Sequence, residues 1–222
     1  MTKPWRTNET MYPPVRLPSG RNRLARTLSN YKKNKEVFGN TPTGLLHGQK
    51  TKPMCDMVYG TYPLSWNGCE LIAVYNVCVM LKKPVPLPQV IFEFELNKMH
   101  YLFPSGYWGT GPKVLYKFLD SHGLKYRTFR NKEQFRQAAS VSSCGIVSFW
   151  NNEKSKAKFF GLDFFSGGLH TVAYLRGKDC YHVYDLYSRD TAARTFRDIS
   201  EIYKEKRFII GYTFDSQENR QS

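Results

Sequence analysis

The stretch of residues 66–83, WNGCELIAVYNVCVMLKK, constrains this chain more than any other, because a cysteine stands where a turn becomes a long apolar helix. The side chain of Asn67 can cap backbone N–H groups and Gly68 permits a tight approach. From Glu70 onward, Leu71, Ile72, Val74, Tyr75, Val77, Cys78 and Leu81 predict a helix buried over most of its circumference. Lys82 and Lys83 suit its C-terminus, and Pro84, Pro86 and Pro88 prevent its continuation. A helix apolar on nearly every side must be enclosed, so other elements have to gather around it. A thiol in its first turn meets the positive end of the helix dipole and unpaired amides, which favour thiolate and make Cys69 a candidate nucleophile. The plainer use of such a residue is as a small buried hydrophobe.

Further along, Gln89 to Tyr101 predicts a second helix and Pro112 to Ser121 a third, ended by Gly123; Leu124 to Phe129 predicts a strand and Lys132 to Ala139 a short helix. The period then changes. Gly145 to Trp150, Leu169 to Arg176, Tyr181 to Tyr187 and Phe208 to Phe214 have the length and pattern of strands. The connection 151–168 reads as irregular, and its phenylalanines, with Tyr107 and Trp108 of the glycine-rich loop 104–112, are candidate walls of a cleft. Helices followed by strands predict an α+β fold, a helical lobe whose central helix packs on an antiparallel sheet. The expected organisation is a basic, mostly irregular arm over 1–53, one domain over 54–215 and a polar tail over 216–222.

Composition narrows the class. A 222-residue chain that is 41% hydrophobic and 15% aromatic can bury a sizeable core, and it has no uncharged apolar run of membrane-spanning length. The start MTKPWRTNET lacks an apolar leader core, so the chain reads as cytoplasmic. Cysteines at 55, 69, 78, 144 and 180 show no paired spacing, so neither a structural metal nor a cofactor is expected. The formal net charge is +15, and residues 1–53 carry eleven Lys or Arg against Glu9 and Glu36. A run of this kind is more often a solvated face than a nucleic-acid surface, and no motif supports the latter. The +15 charge favours acidic stretches in a partner.

The hairpin LHTVAYLRGKDCYHVYDLY supplies a possible partner for the thiol. With Gly177 and Lys178 as a two-residue turn, the positions of opposed residues sum to 355 and His170 faces Asp185. Side chains so opposed share one face of the sheet about 5 Å apart, so a carboxylate there would orient the imidazole. His182 lies on the other face by parity.

The strings SWNGCELIAVYN, GGLHTVAYLR and YHVYDLYS together resemble the papain-like cysteine peptidase superfamily, nearest to its bacterial branch of double-glycine leader peptidases. The resemblance spans residues 54–214 and implies a papain-like fold. It also implies a Cys69 nucleophile, a His170 general base and acid, and an Asp185 orienting group, acting on a peptide through an acyl-thioenzyme. Members usually place an oxyanion-hole glutamine about six residues before the cysteine, where this chain has Pro63. Asn67 is the expected substitute, beside the backbone N–H of Cys69. Glu70 stands where many members have glycine. The same fold also serves acyl transferases and catalytically silent peptide-binding proteins, so these are the alternative functions.

Overall fold

The computed structural model describes residues 23–39, 44–99, 109–159 and 162–215, with the backbone path alone for 152–159 and 162–167. Its helices among these residues are α1 (Arg23–Phe38), α2 (Leu64–Asn67), α3 (Cys69–Met80), α4 (Leu87–Leu96), α5 (Tyr116–Ser121) and α6 (Lys132–Ala139). Two short strands, β1 (Val58–Tyr59) and β2 (Tyr62–Pro63), pair just before α2. The main sheet contains β3 (Arg127–Phe129), β4 (Cys144–Phe159), β5 (Leu162–Arg176), β6 (Tyr181–Tyr184), β7 (Arg194–Phe196) and β8 (Arg207–Phe214). Its order is β3-β8-β4-β5-β6-β7, and every neighbouring pair is antiparallel. The chain is therefore α+β, as its change of period implies.

The sequence accounts for this layering. In α3 every residue from Cys69 to Cys78 is buried, so the helix is enclosed on all sides as its composition demands. One core joins α3, α4 and α5 to one face of the sheet, through Ile146, Ala173, Ile210 and Tyr212. The alternate residues Val147, Phe149, Val172, Tyr174 and Val183 point to the other face, where Phe135 of α6 and Ile199, Ile202 and Tyr203 cover them. Asn131 starts α6 by accepting from the N–H groups of Glu133 and Gln134. Gly211 lies directly under the Phe135 ring, which a Cβ there would overlap.

Three expectations are corrected. Within the expected arm, residues 23–38 are helix rather than irregular: α1 packs on α4, and its Asn34 clasps the backbone of Val58 from both sides, donating to its O (2.8 Å) and accepting from its N–H (2.9 Å). Much of the polar face of α1 thus serves tertiary hydrogen bonds, which hides the helix from an apolar-period reading. In the expected irregular connection, residues 151–159 and 162–168 are strand, with β4 and β5 staying paired through register shifts at Asn151/Lys156 and Ala157/Lys158. The turn between β5 and β6 is longer than two residues: Arg176 faces Tyr181 and Ala173 faces Tyr184, with Gly177 N–H donating to Cys180 O at 2.8 Å. Tyr107, Trp108 and the tail 216–222 lie outside the described residues, as do the side chains of Phe159, Phe160, Phe164 and Phe165.

Candidate functional site

Cys69 is the first residue of α3, and the helical turn α2 ends two residues before it. Gly68 joins them where a side chain would collide with Leu64, so the two helices can meet without a loop. Asn67 makes no cap; it is buried and its Nδ2 donates to Tyr59 O at 3.2 Å. Gly109, at φ +73°, lies so close to Asn67 O that a Cβ would come within 2.8 Å of it, bringing the 109–111 segment over the helix start.

The helix start meets the sheet where β5 loses a neighbour. Strand β6 ends at Tyr184, so β5 from Leu169 to Val172 is paired on the β4 side while β6 begins only opposite Ala173. The Thr171 backbone N–H reaches the Cys69 sulfur there. The start of α3 thus reaches the residue that follows His170, about a hundred positions along the chain, with the Thr171 hydroxyl on Glu70.

The pairing of His170 with Asp185 takes a form different from the expected one. Because the register is displaced by two residues, Asp185 falls beyond the end of β6 and is not opposite His170. A displacement of two preserves the face, and the two residues still meet. Asp185 adopts φ +60°, and its main-chain carbonyl accepts from His170 Nε2 at 2.6 Å. A carbonyl can only accept, so Nε2 carries a proton. The Asp185 carboxylate turns the other way: Oδ1 accepts from Gln49 N–H at 2.8 Å, while Oδ2 is buried with no hydrogen-bond partner among the described residues. Burial, first of all, holds this carboxyl well above the usual range. Phe149 packs edge-on against the His170 ring, with centroids 5.8 Å apart.

Residues 44–50, from the supposed arm, complete the site. Leu46 exchanges both backbone hydrogen bonds with the Asn76 side chain of α3, each 2.8 Å long. His47 O accepts from Asp185 N–H at 2.9 Å, and Lys50 N–H donates to Ser188 O at 2.6 Å. Gln49 Nε2 donates to Ser65 O at 2.9 Å. This strap ties the cysteine helix to the Asp185 loop. Its partners are scattered over residues 65–188, so no local pattern could have flagged it.

The thiol itself is set differently from the helix-dipole expectation. Cys69 is 7% exposed, and its Sγ donates to Glu70 Oε2 at 3.2 Å. Burial and then the Glu70 and Asp185 carboxylates raise the thiol well above its ordinary value, outweighing the dipole and the Thr171 N–H. Burial likewise pushes Cys78 and Cys144 up to about 12. Glu70, itself buried, is pushed up to about 7 by desolvation. Its Oε1 accepts from Thr171 Oγ1 at 3.2 Å, and Thr171 pairs with Ser148 Oγ at 2.8 Å. His182 stands apart from this centre, 3.6 Å from Cys180 Sγ.

No protein-family model and no curated protein matches the chain. Among solved structures it is similar to the peptidase domain of Streptococcus ComA, a bi-functional ABC transporter involved in quorum sensing. That match has 10% identity and a TM-score of 0.45, covering 72% of this chain and 97% of that domain. It is also similar to a protein of Bacillus anthracis assigned as a C39-like peptidase, at 12% identity and TM-score 0.46, covering 80% of this chain and 98% of that one. No described helix is long and apolar enough to cross a membrane.

Proposed function

We propose that the chain is a cysteine peptidase or amide hydrolase acting on peptides, with Cys69 as nucleophile and His170 as general base and acid. One observation carries this reading: the start of α3 and the β5 edge, remote in sequence, meet through Glu70, which accepts from both the Cys69 thiol and the Thr171 hydroxyl, and His170 precedes Thr171 on that strand with its Nε2 on the Asp185 carbonyl. In the reaction the thiol proton passes to His170 Nδ1 and the sulfur lone pair attacks the peptide carbonyl carbon. The displaced π pair becomes an oxyanion facing the Cys69 N–H. Collapse expels the amine, which takes the proton from the imidazolium, and water then hydrolyses the thioester. Asp185 is the orienting residue through its main-chain carbonyl. Gln49, brought beside Ser65 by the strap, supplies the side-chain amide that Pro63 cannot, with Asn67 directed instead at Tyr59.

Turnover of a peptide library is the test. Wild-type protein cleaves a subset, Cys69→Ala and His170→Ala abolish cleavage, and acidic flanking residues improve KM in a salt-sensitive way because of the +15 charge. Tight peptide binding without cleavage, unchanged in Cys69→Ala, would instead establish the silent binding protein.

A further inference from the structure

The carboxylate on the sulfur is the part of the site that the peptidase mechanism leaves unused. Glu70 is 2% exposed, shares its first helical turn with Cys69, and receives the S–H at 3.2 Å on one oxygen and the Thr171 hydroxyl at 3.2 Å on the other. The backbone N–H groups of Glu70 and Thr110 also stabilise its charged form. The ionisable groups coupled to it are Cys69 on α3, Tyr59 from β1 and Asp185 from the loop after β6. Tyr59 is engaged with Thr110 Oγ1 at 2.6 Å and is pushed well upward by burial first and then by Glu70 and Glu95, so it stays neutral. Asp190 in turn raises Asp185. A thiolate beside an ionised Glu70 would place two negative charges in contact away from water, which strongly disfavours it.

We propose that Glu70 is a proton-operated latch on Cys69: as a carboxylate it keeps the sulfur in its S–H form, and once protonated it donates to the sulfur and releases the thiol proton to His170. The inference rests on the reading of Cys69 as nucleophile. Its balance is simple. Glu70 Oε2 takes one proton from solvent, the S–H proton moves to His170 Nδ1, and the bonding pair stays on sulfur as a thiolate held by the Glu70 O–H and the Thr171 N–H. The latch opens as pH falls through about 7, where Glu70 gains its proton, opposite to the direction in which an ordinary thiol becomes reactive.

The experiment is the rate of iodoacetamide alkylation of Cys69 in the full chain, from pH 5.5 to 9, read by peptide mapping. The C–S bond that forms displaces iodide, so the rate follows the thiolate population. Wild-type protein is expected to label faster near pH 6 than near pH 8. Glu70→Gln, whose amide donates permanently as the protonated acid does, labels about ten-fold or more faster than wild type at pH 8 and loses the acid-side rise. Thr171→Val removes a donor to the Glu70 carboxylate and moves the edge to higher pH. Thermal melts confirm that each variant is folded, and Thr171→Val provides the same readout should Glu70→Gln not fold. Labelling that rises monotonically with pH in wild type, or a Glu70→Gln rate at or below wild type at pH 8, overturns the latch. Peptide turnover lost in Cys69→Ala is scored separately, so the latch can fail while the peptidase reading stands.

Discussion

At φ +60°, Asp185 turns its carbonyl to the His170 ring while its carboxylate is held by Gln49 on the opposite side. The side chain of this residue is thus a support, and the main chain meets the imidazole. Asparagine tolerates a left-handed backbone, keeps an oxygen for the Gln49 N–H and removes a buried charge. Asp185→Asn should therefore retain turnover within roughly threefold and melt no lower than wild type at pH 7.5. Asp185→Ala loses the acceptor and strains a positive φ, and should cost about 1–3 kcal/mol in denaturant unfolding together with most of the activity. If Asp185→Asn were as inactive as His170→Ala, the carboxylate would be the orienting group after all. Cys69 carries the matching lesson: the N-terminal position on a helix was legible in the sequence, but burial and the neighbouring Glu70 decide its proton, and neither shows in a linear motif.

Two asparagines act as strand substitutes between elements. Asn34 of α1 clasps Val58, and Asn76 of α3 clasps Leu46, each by a donor and an acceptor. Asn76 is wholly buried, so Asn76→Ala strands both backbone groups of Leu46 and should cost roughly 2–3 kcal/mol by urea unfolding. A cost below 1 kcal/mol would mean that water or a shifted strap replaces the pair. At the other end of the strap, a Cβ on Gly48 would come within 2.5 Å of Asp190 O and 2.9 Å of Ser188 O, all rigid backbone. Gly48→Ala should push the strap from the Asp185 loop and lower kcat more than KM, since the histidine rather than the peptide is displaced. The helices α3, α4 and α6 were legible because their apolar spacing or caps are local. The strap, α1 and the long β4–β5 hairpin were not: their partners are distant, and β7, three residues with none buried, has no pattern to read.

Over the whole molecule, the site forms where the helical lobe meets the sheet edge that β6 leaves uncovered. As proposed, it draws Cys69 from the first lobe, His170 and Asp185 from the hairpin, and Gln49 from a segment that the sequence assigns to an arm. The change from helix to strand was readable because it rests on period. The contacts that hold the site residues depend on a two-residue difference in register and on a strap without a motif. The most direct test of the central claim is covalent. Wild-type protein mixed with an activated peptide ester, quenched in acid and mapped by mass spectrometry, should carry the acyl group on Cys69. The adduct should be absent in Cys69→Ala and should form far more slowly in His170→Ala. Acylation confined to Cys55 or Cys180, the partly exposed thiols, or an adduct on Cys69 that forms equally fast without His170, would contradict the account.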